Sequence, residues 1–110
     1  MVNARVDVFI HKQGTPEEQL TEGLRRARLY KDAGADCIYP ILLSDEAMLA
    51  EFVQAVGVVN INARRGGPLS LQRAAAIGIR RVSYAGSIFR DATNALDVIV
   101  KEVKAEADAV

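Results

Sequence analysis

The chain has 110 residues, half of them apolar and a quarter charged, with fourteen basic and fourteen acidic side chains and a formal net charge of zero. That composition is ordinary for one globular domain and excludes the basic excess of a nucleic-acid footprint. A single cysteine, Cys37, excludes an internal disulfide, and no apolar stretch approaches the roughly 20 residues of a membrane span. With no basic-then-apolar leader over residues 1–7, a soluble, cytoplasmic protein is expected, with neither nucleic acid nor membrane as partner.

Short β-branched runs alternate with longer amphipathic stretches. The first run, Val2 to Ile10, predicts a strand. Thr15-Pro16-Glu17-Glu18 then combines a capping box with proline at the first helical position. Behind it Leu20, Leu24, Ala27 and Tyr30 recur at helical spacing. Cys37 to Leu43 predicts the second strand, with Cys37 as a small buried residue. The next helix is expected from Ser44, with Asp45 and Glu46 in its first turn and Met48, Leu49, Phe52, Val53 and Val56 as its stripe.

Val58 to Asn62 predicts the third strand. A short helix follows from Ser70 to about Ile77, with Leu71, Ala74 and Ala75 inward. Arg81 to Ala85 predicts the fourth strand. The last helix is expected from about Ser87, capped by that serine, with Ala92, Ala95, Leu96, Ile99, Val100 and Val103 facing the core and fraying after Lys104. Gly34, Gly57 and Gly78 each fall between a helix and a strand, where a left-handed cap is needed.

The pattern predicts one α/β domain of four consecutive parallel βα units, over residues 1–34, 35–57, 58–78 and 79–110. Such units can form a small open doubly wound sheet, or half of a closed (β/α)₈ barrel. As a half-barrel the chain would carry two unpaired sheet edges and one uncovered apolar face, both of which invite association.

Chemistry in such folds gathers at the C-terminal ends of the strands. Arg5 lies in a strand and has two readings. It pairs with Asp7, on the same side of the strand, or it is a fork for a carboxylate or phosphate. Asn60 and Asn62 share one side and either orient a substrate oxygen or satisfy loop backbone. Ser87 sits where an anion can meet a helix N-terminus. His11 reads as a solvated loop residue. The basic pairs Arg25-Arg26, Arg64-Arg65 and Arg80-Arg81 are too short for a polybasic tract.

Four segments in register resemble one family. Asn3-Ala4-Arg5-Val6-Asp7 resembles the N-A-R-T-D strand of the isocitrate lyase/phosphoenolpyruvate mutase superfamily. Ala33-Gly34-Ala35-Asp36-Cys37-Ile38-Tyr39-Pro40 resembles its next strand. Val59-Asn60-Ile61 through Gly66-Gly67-Pro68-Leu69-Ser70 resembles the following unit, and Gly78 to Tyr84 with Ser87-Ile88-Phe89-Arg90 resembles the last. The resemblance implies the C-terminal half of a (β/α)₈ barrel. It further implies C–C or P–C bond chemistry on 2-oxo acid or carboxylate substrates, with Mg²⁺ at the strand C-termini.

On that resemblance Arg5 would clamp a carboxylate or phosphonate, Asn60 or Asn62 would hold a second carboxylate or an oxo group, and Ser87 would lie near the same mouth. The departures are as informative. The family's Mg²⁺-holding acids and its K-K-C-G-H lid segment belong to the other half-barrel. Ile41 stands where a glutamate commonly follows the proline, and Val6 stands for the motif's threonine. The expectation is therefore no cofactor in this chain alone and Mg²⁺ in the full-length family. The expected partner is a second copy in a homodimer or a complementary N-terminal half-barrel. A non-catalytic self-associating half-barrel and a small oxyanion-binding module are the alternatives.

Overall fold

The computed structural model describes residues 1–110. In chain order the elements are β1 (Asn3–Val6), α1 (Val8–His11), α2 (Pro16–Asp32), β2 (Cys37–Pro40), α3 (Glu46–Val56), β3 (Asn60–Asn62), α4 (Leu71–Ile77), β4 (Arg81–Ser83) and α5 (Ser87–Asp108). The fold is mixed α/β with short parallel strands. β1 pairs with β2 and β3 with β4, both parallel. A single parallel bridge, Ile38 to Val59, joins the two pairs. The spatial order is therefore the chain order, and β1 and β4 each have a partner on one side only.

Local sequence explains the helix starts. Thr15 Oγ1 accepts from Glu18 N at 3.2 Å while Glu18 Oε2 accepts from Thr15 N at 2.7 Å, so the expected capping box is present, with Pro16 as the first helical residue. The cap of α3 is Asp45, not Ser44: its carboxylate accepts from Met48 N at 2.9 Å. Ser70 caps α4 as expected. Gly34, Gly57 and Gly78 all have positive φ, but only Gly78 of the two helix-capping glycines is in the left-handed helical region; Gly57 has ψ of −85°.

Every strand is shorter than its apolar run. After Val6 the residues Val8, Phe9 and Ile10 form the helical turn α1, which packs against α2 with Val8 and Phe9 buried. Leu42 at φ +67° ends the extension of β2, and Ala85 at φ +47° ends that of β4.

The core lies between the strands and the helices α2, α3 and α4. Val6, Ile38, Leu49, Phe52 and Val59 are fully buried there, with Ile61 nearly so. From α4 only Ala74 is buried; Leu71 and Ala75, expected to face inward, are exposed. A helix of seven residues is under two turns long and presents little of its surface to the sheet.

The largest departure is α5. Ala92, Ala95, Leu96, Ile99, Val100 and Val103 were expected to face the core, and all are exposed; Ser87 is the helix's only buried residue. The helix leaves the end of β4, beyond which there is no further strand for it to cover. It accounts for the elongated outline of 66 × 30 × 25 Å. Nor does it fray after Lys104: it continues to Asp108, with Lys104 paired to Asp108.

Candidate functional site

Side chains alternate across a strand, and parallel partners point the same way. The registers Asn3 with Cys37, Arg5 with Tyr39, Ile38 with Val59 and Asn60 with Arg81 therefore divide the strands into two faces. Ala4, Val6, Ile38, Pro40, Val59, Ile61 and Val82 form the face covered by helices. The opposite face carries Asn3, Arg5, Cys37, Tyr39, Asn60, Asn62, Arg81 and Ser83. The uncovered face was expected to be apolar; it is largely polar, which suits ligand contact better than burial against a second hydrophobic layer.

Across that face Arg5, Tyr39, Asn60 and Arg81 stand in one row. Neighbouring strands are about 4.8 Å apart, so Arg5 and Asn60 are separated by about 10 Å at the backbone. Burial pushes the Tyr39 phenol up, opposed by the positive charges of Arg5 and Arg81 on either side. Tyr39 and Arg81 escaped the sequence reading. Alternation from Cys37 would have flagged Tyr39, but cross-strand register carries no signal in one sequence.

Both readings of Arg5 bear on its geometry. Its Nε donates to Asp7 Oδ1 at 2.7 Å and its Nη2 to Asp7 Oδ2 at 3.0 Å, a bidentate pair. The guanidinium holds the Asp7 carboxyl below the usual carboxylate range. Nη1 keeps its donors free, and the arginine is exposed. An incoming oxyanion would meet Nη1 directly or displace Asp7.

Asn60 is fully buried. Its Oδ1 accepts from Ser83 Oγ at 3.1 Å, but its Nδ2 has no hydrogen-bond partner. A buried amide nitrogen left unsatisfied costs about 1–3 kcal/mol. Asn3 Oδ1, on the same face, is likewise buried without a partner. Native proteins retain few such groups, and each invites an explanation.

Asn62 is spent differently. Its Oδ1 accepts from Leu42 N at 2.8 Å and so fixes the left-handed turn after β2. With Ser87 it lines a cleft of about 240 Å³ at the C-terminal ends of β3 and β4. Arg5 and Asn60 do not line it, so the four predicted site residues divide between the open face and the cleft. Ser87 does not cap α5; it is the first residue of that helix, and Gly86 holds the cap position. Its hydroxyl donates to Tyr84 O at 2.6 Å, with Ala63 O also near at 3.3 Å, so it ties the ends of β3 and β4 together.

The cleft brings in two residues that sequence reasoning left aside, Arg64 and Arg90. Elsewhere the chain brings no three His, Cys, Asp or Glu side chains together to hold a metal ion. Asp7, the carboxylate beside the row, is already committed to Arg5. Cys37 is a buried thiol pushed up by burial, as its apolar context implied. No helix is long and apolar enough to cross a membrane.

A parallel βα array with polar side chains on its open strand face and a cleft at its strand C-termini is an α/β protein of the ligand-site type. More particularly, the chain belongs to the phosphoenolpyruvate phosphomutase family, whose model matches residues 1–104. Two solved structures from Burkholderia cenocepacia J2315 are similar. One is of a provisionally assigned lyase/mutase, 34% identical with a TM-score of 0.77, aligned over 93% of this chain and 36% of that one. The other is of a provisionally assigned phosphonomutase, 31% identical with a TM-score of 0.82, over 92% of this chain and 41% of that one. The chain thus spans about two fifths, or less, of the length of these relatives. No curated protein matches it.

Proposed function

We propose that the chain is the C-terminal half-barrel, four βα units, of an enzyme acting on 2-oxo acid or carboxylate substrates by C–C or P–C bond chemistry. The observation that carries this reading is the row Arg5, Tyr39, Asn60 and Arg81 on the strand face away from the helices. In a closed barrel that face is the interior, and its upper end is where ligands bind. Arg5 offers Nη1, and its whole fork if Asp7 is displaced, to a carboxylate or phosphonate. The free Nδ2 of Asn60 would donate to a substrate oxygen, relieving its own desolvation. Asn62 and Ser87 would shape the mouth.

Mg²⁺, where the family uses it, would polarise a substrate oxygen. Its ligands would come from a complementary N-terminal half-barrel, or from a full-length arrangement that supplies one. A homodimer that closes the sheet edges is the alternative partner, and favours the non-catalytic reading. The test is an assay with Mg²⁺ and oxaloacetate or phosphonopyruvate, alongside ligand titration of wild type and Arg5→Ala. The expected result is negligible turnover by the isolated chain and 2-oxo acid binding that depends on Arg5. Robust turnover alone would refute the half-enzyme reading, and binding unchanged in Arg5→Ala would refute the clamp.

A further inference from the structure

We infer that Asp7 is a displaceable internal carboxylate: it fills the Arg5 fork while no ligand does, and His11 and Arg26 receive it when a substrate carboxylate takes its place. The inference rests on the reading of Arg5 as an anion clamp and adds its regulation. Asp7 is then a positioning residue that touches no substrate.

The internal pair already has the geometry of the expected complex. Two N–H···O bonds, at 2.7 and 3.0 Å, join the guanidinium to both carboxylate oxygens of Asp7. An incoming carboxylate makes the same fork-to-fork contact. Exchange is open, because the Arg5 and Asp7 side chains are 54% and 34% exposed, and exposed ion pairs are weak.

Asp7 is not fixed by its own helix. It holds the N-cap position of α1, where an aspartate ordinarily accepts from a backbone N–H of the first turn, and it makes no such bond. Its backbone lies at φ −93° and ψ 3°, the bridge region in which active-site residues are often found. Its carboxylate accepts hydrogen bonds from Arg5 alone.

Two further basic side chains lie beside it. His11 stands four residues on in α1; side chains at that spacing share a helix face, and a helical side chain leans back toward the N-terminus. α1 packs against α2, which brings Arg26. Arg26 spends one bond, Nε to Glu22 Oε1 at 2.7 Å, and both its Nη groups are unpartnered. Glu22 is shared, since Arg25 takes both of its oxygens. The hydrogen bonds from Arg5 hold the Asp7 carboxyl below the usual carboxylate range, burial opposes them, and the charges of Arg5, His11 and Arg26 lower it further. Rotation of the Asp7 side chain would trade Arg5 for the other two without moving the strand.

The affinity of the clamp is then set by competition. A site filled by its own carboxylate binds a ligand with its intrinsic strength reduced by the vacant fraction. An exposed pair of ordinary strength leaves the fork vacant roughly one third of the time.

The experiment titrates the full chain with pyruvate at constant ionic strength, read by NMR of the arginine Nε–H and imidazole resonances. Asp7→Asn should tighten binding roughly three-fold. Arg26→Gln should weaken binding in the wild-type chain and leave it unchanged in the Asp7→Asn chain, because its effect passes through Asp7. Equal weakening in both chains would show Arg26 acting on the ligand by charge alone and would overturn the exchange. Weaker binding by Asp7→Asn would overturn it too, making Asp7 a rigid support for Arg5. A measurement without ligand separates this inference from the clamp. In Arg5→Ala the released carboxylate should shift the Arg26 Nε–H and His11 imidazole resonances, and adding Asp7→Asn should remove the shift. Both resonances unmoved in Arg5→Ala would refute the exchange even where pyruvate binds. The expected shifts with no pyruvate binding in any chain would instead mark the failure of the clamp, on which the inference depends.

Discussion

Asn60 condenses the conflict between folding and function into one side chain. It is fully buried, yet its Nδ2 is unpartnered. Leucine has nearly the same shape and no polar atoms to desolvate. Asn60→Leu should therefore stabilise the chain by about 1 kcal/mol, visible as a raised urea midpoint at unchanged slope. Ser83, half-buried, can turn its hydroxyl to water when it loses Oδ1. The same change should abolish 2-oxo acid binding on the strand face. A lowered midpoint would show that the amide is satisfied in solution and would remove its claim to a ligand. At this scale the sequence disclosed what lies within one strand: Arg5 beside Asp7, and Asn60 on the side of Asn62. It could not disclose Tyr39 and Arg81 as neighbours of Arg5 and Asn60, since that depends on register between strands. The cleft arginines were hidden for a related reason. Left-handed turns at Leu42 and Ala85 are made by residues that ordinarily avoid them.

Among the elements, α2 is the one whose sequence most openly states its structure, and it holds an exception. Gly23 sits in mid-helix, where alanine would normally gain about 1 kcal/mol. Here a Cβ would lie 3.0 Å from Phe52 Cζ and 3.2 Å from Phe9 Cζ. Those rings are buried and packed edge-on, with centroids 5.9 Å apart, so neither can easily withdraw. Overpacking costs about 1–3 kcal/mol and should win, making Gly23→Ala destabilising by about 1 kcal/mol. In a Phe52→Leu background the nearer ring atom is gone and Phe9 can shift into the space it leaves, so the same substitution should become markedly less destabilising. A double-mutant cycle by urea unfolding measures the difference, and additivity would disprove the contact.

The wet face of α2 supplies a pH test. Glu22 accepts from Arg25 and Arg26, and these bonds hold its carboxyl down to about 2, against an ordinary value of 4.5. A lowered folded-state value contributes stability that is present above 4.5 and is lost as pH falls toward 2. A carboxyl NMR titration should find the Glu22 midpoint well below 4.5, and a midpoint at 4.5 would contradict the pairing. Caps and stripes of this kind were legible because they are local. Strand ends were overestimated because an apolar run reports burial, and Val8 and Phe9 obtain burial from a helical turn as well as a strand would.

At the scale of the whole molecule, α5 shows what periodicity can and cannot say. Its stripe marks a face that seeks cover, but it does not say whether the cover lies in the same chain. Phe89, Leu96, Ile99, Val100 and Val103 are 54–72% exposed on one side. The ion pairs Asp97–Lys101 and Lys104–Asp108 form a separate charged stripe on the helix, as 100° per residue requires. Fully covering a large apolar side chain gains about 1.5–3 kcal/mol, and these are already part-covered by their own helix. For a symmetric pair of stripes that leaves roughly 8–15 kcal/mol, against an association cost of about 4–15 kcal/mol. Near balance, the isolated chain should associate reversibly and in proportion to its concentration. Sedimentation velocity over a concentration series should therefore give a rising weight-average coefficient. The double change Leu96→Glu with Ile99→Glu should hold it at the monomer value. Because α5 adds only Ser87 to the buried set, the same variant should keep the wild-type urea midpoint when both are compared at low concentration. A wild-type chain that stays monomeric across the series would show that the stripe does not pair with its own copy.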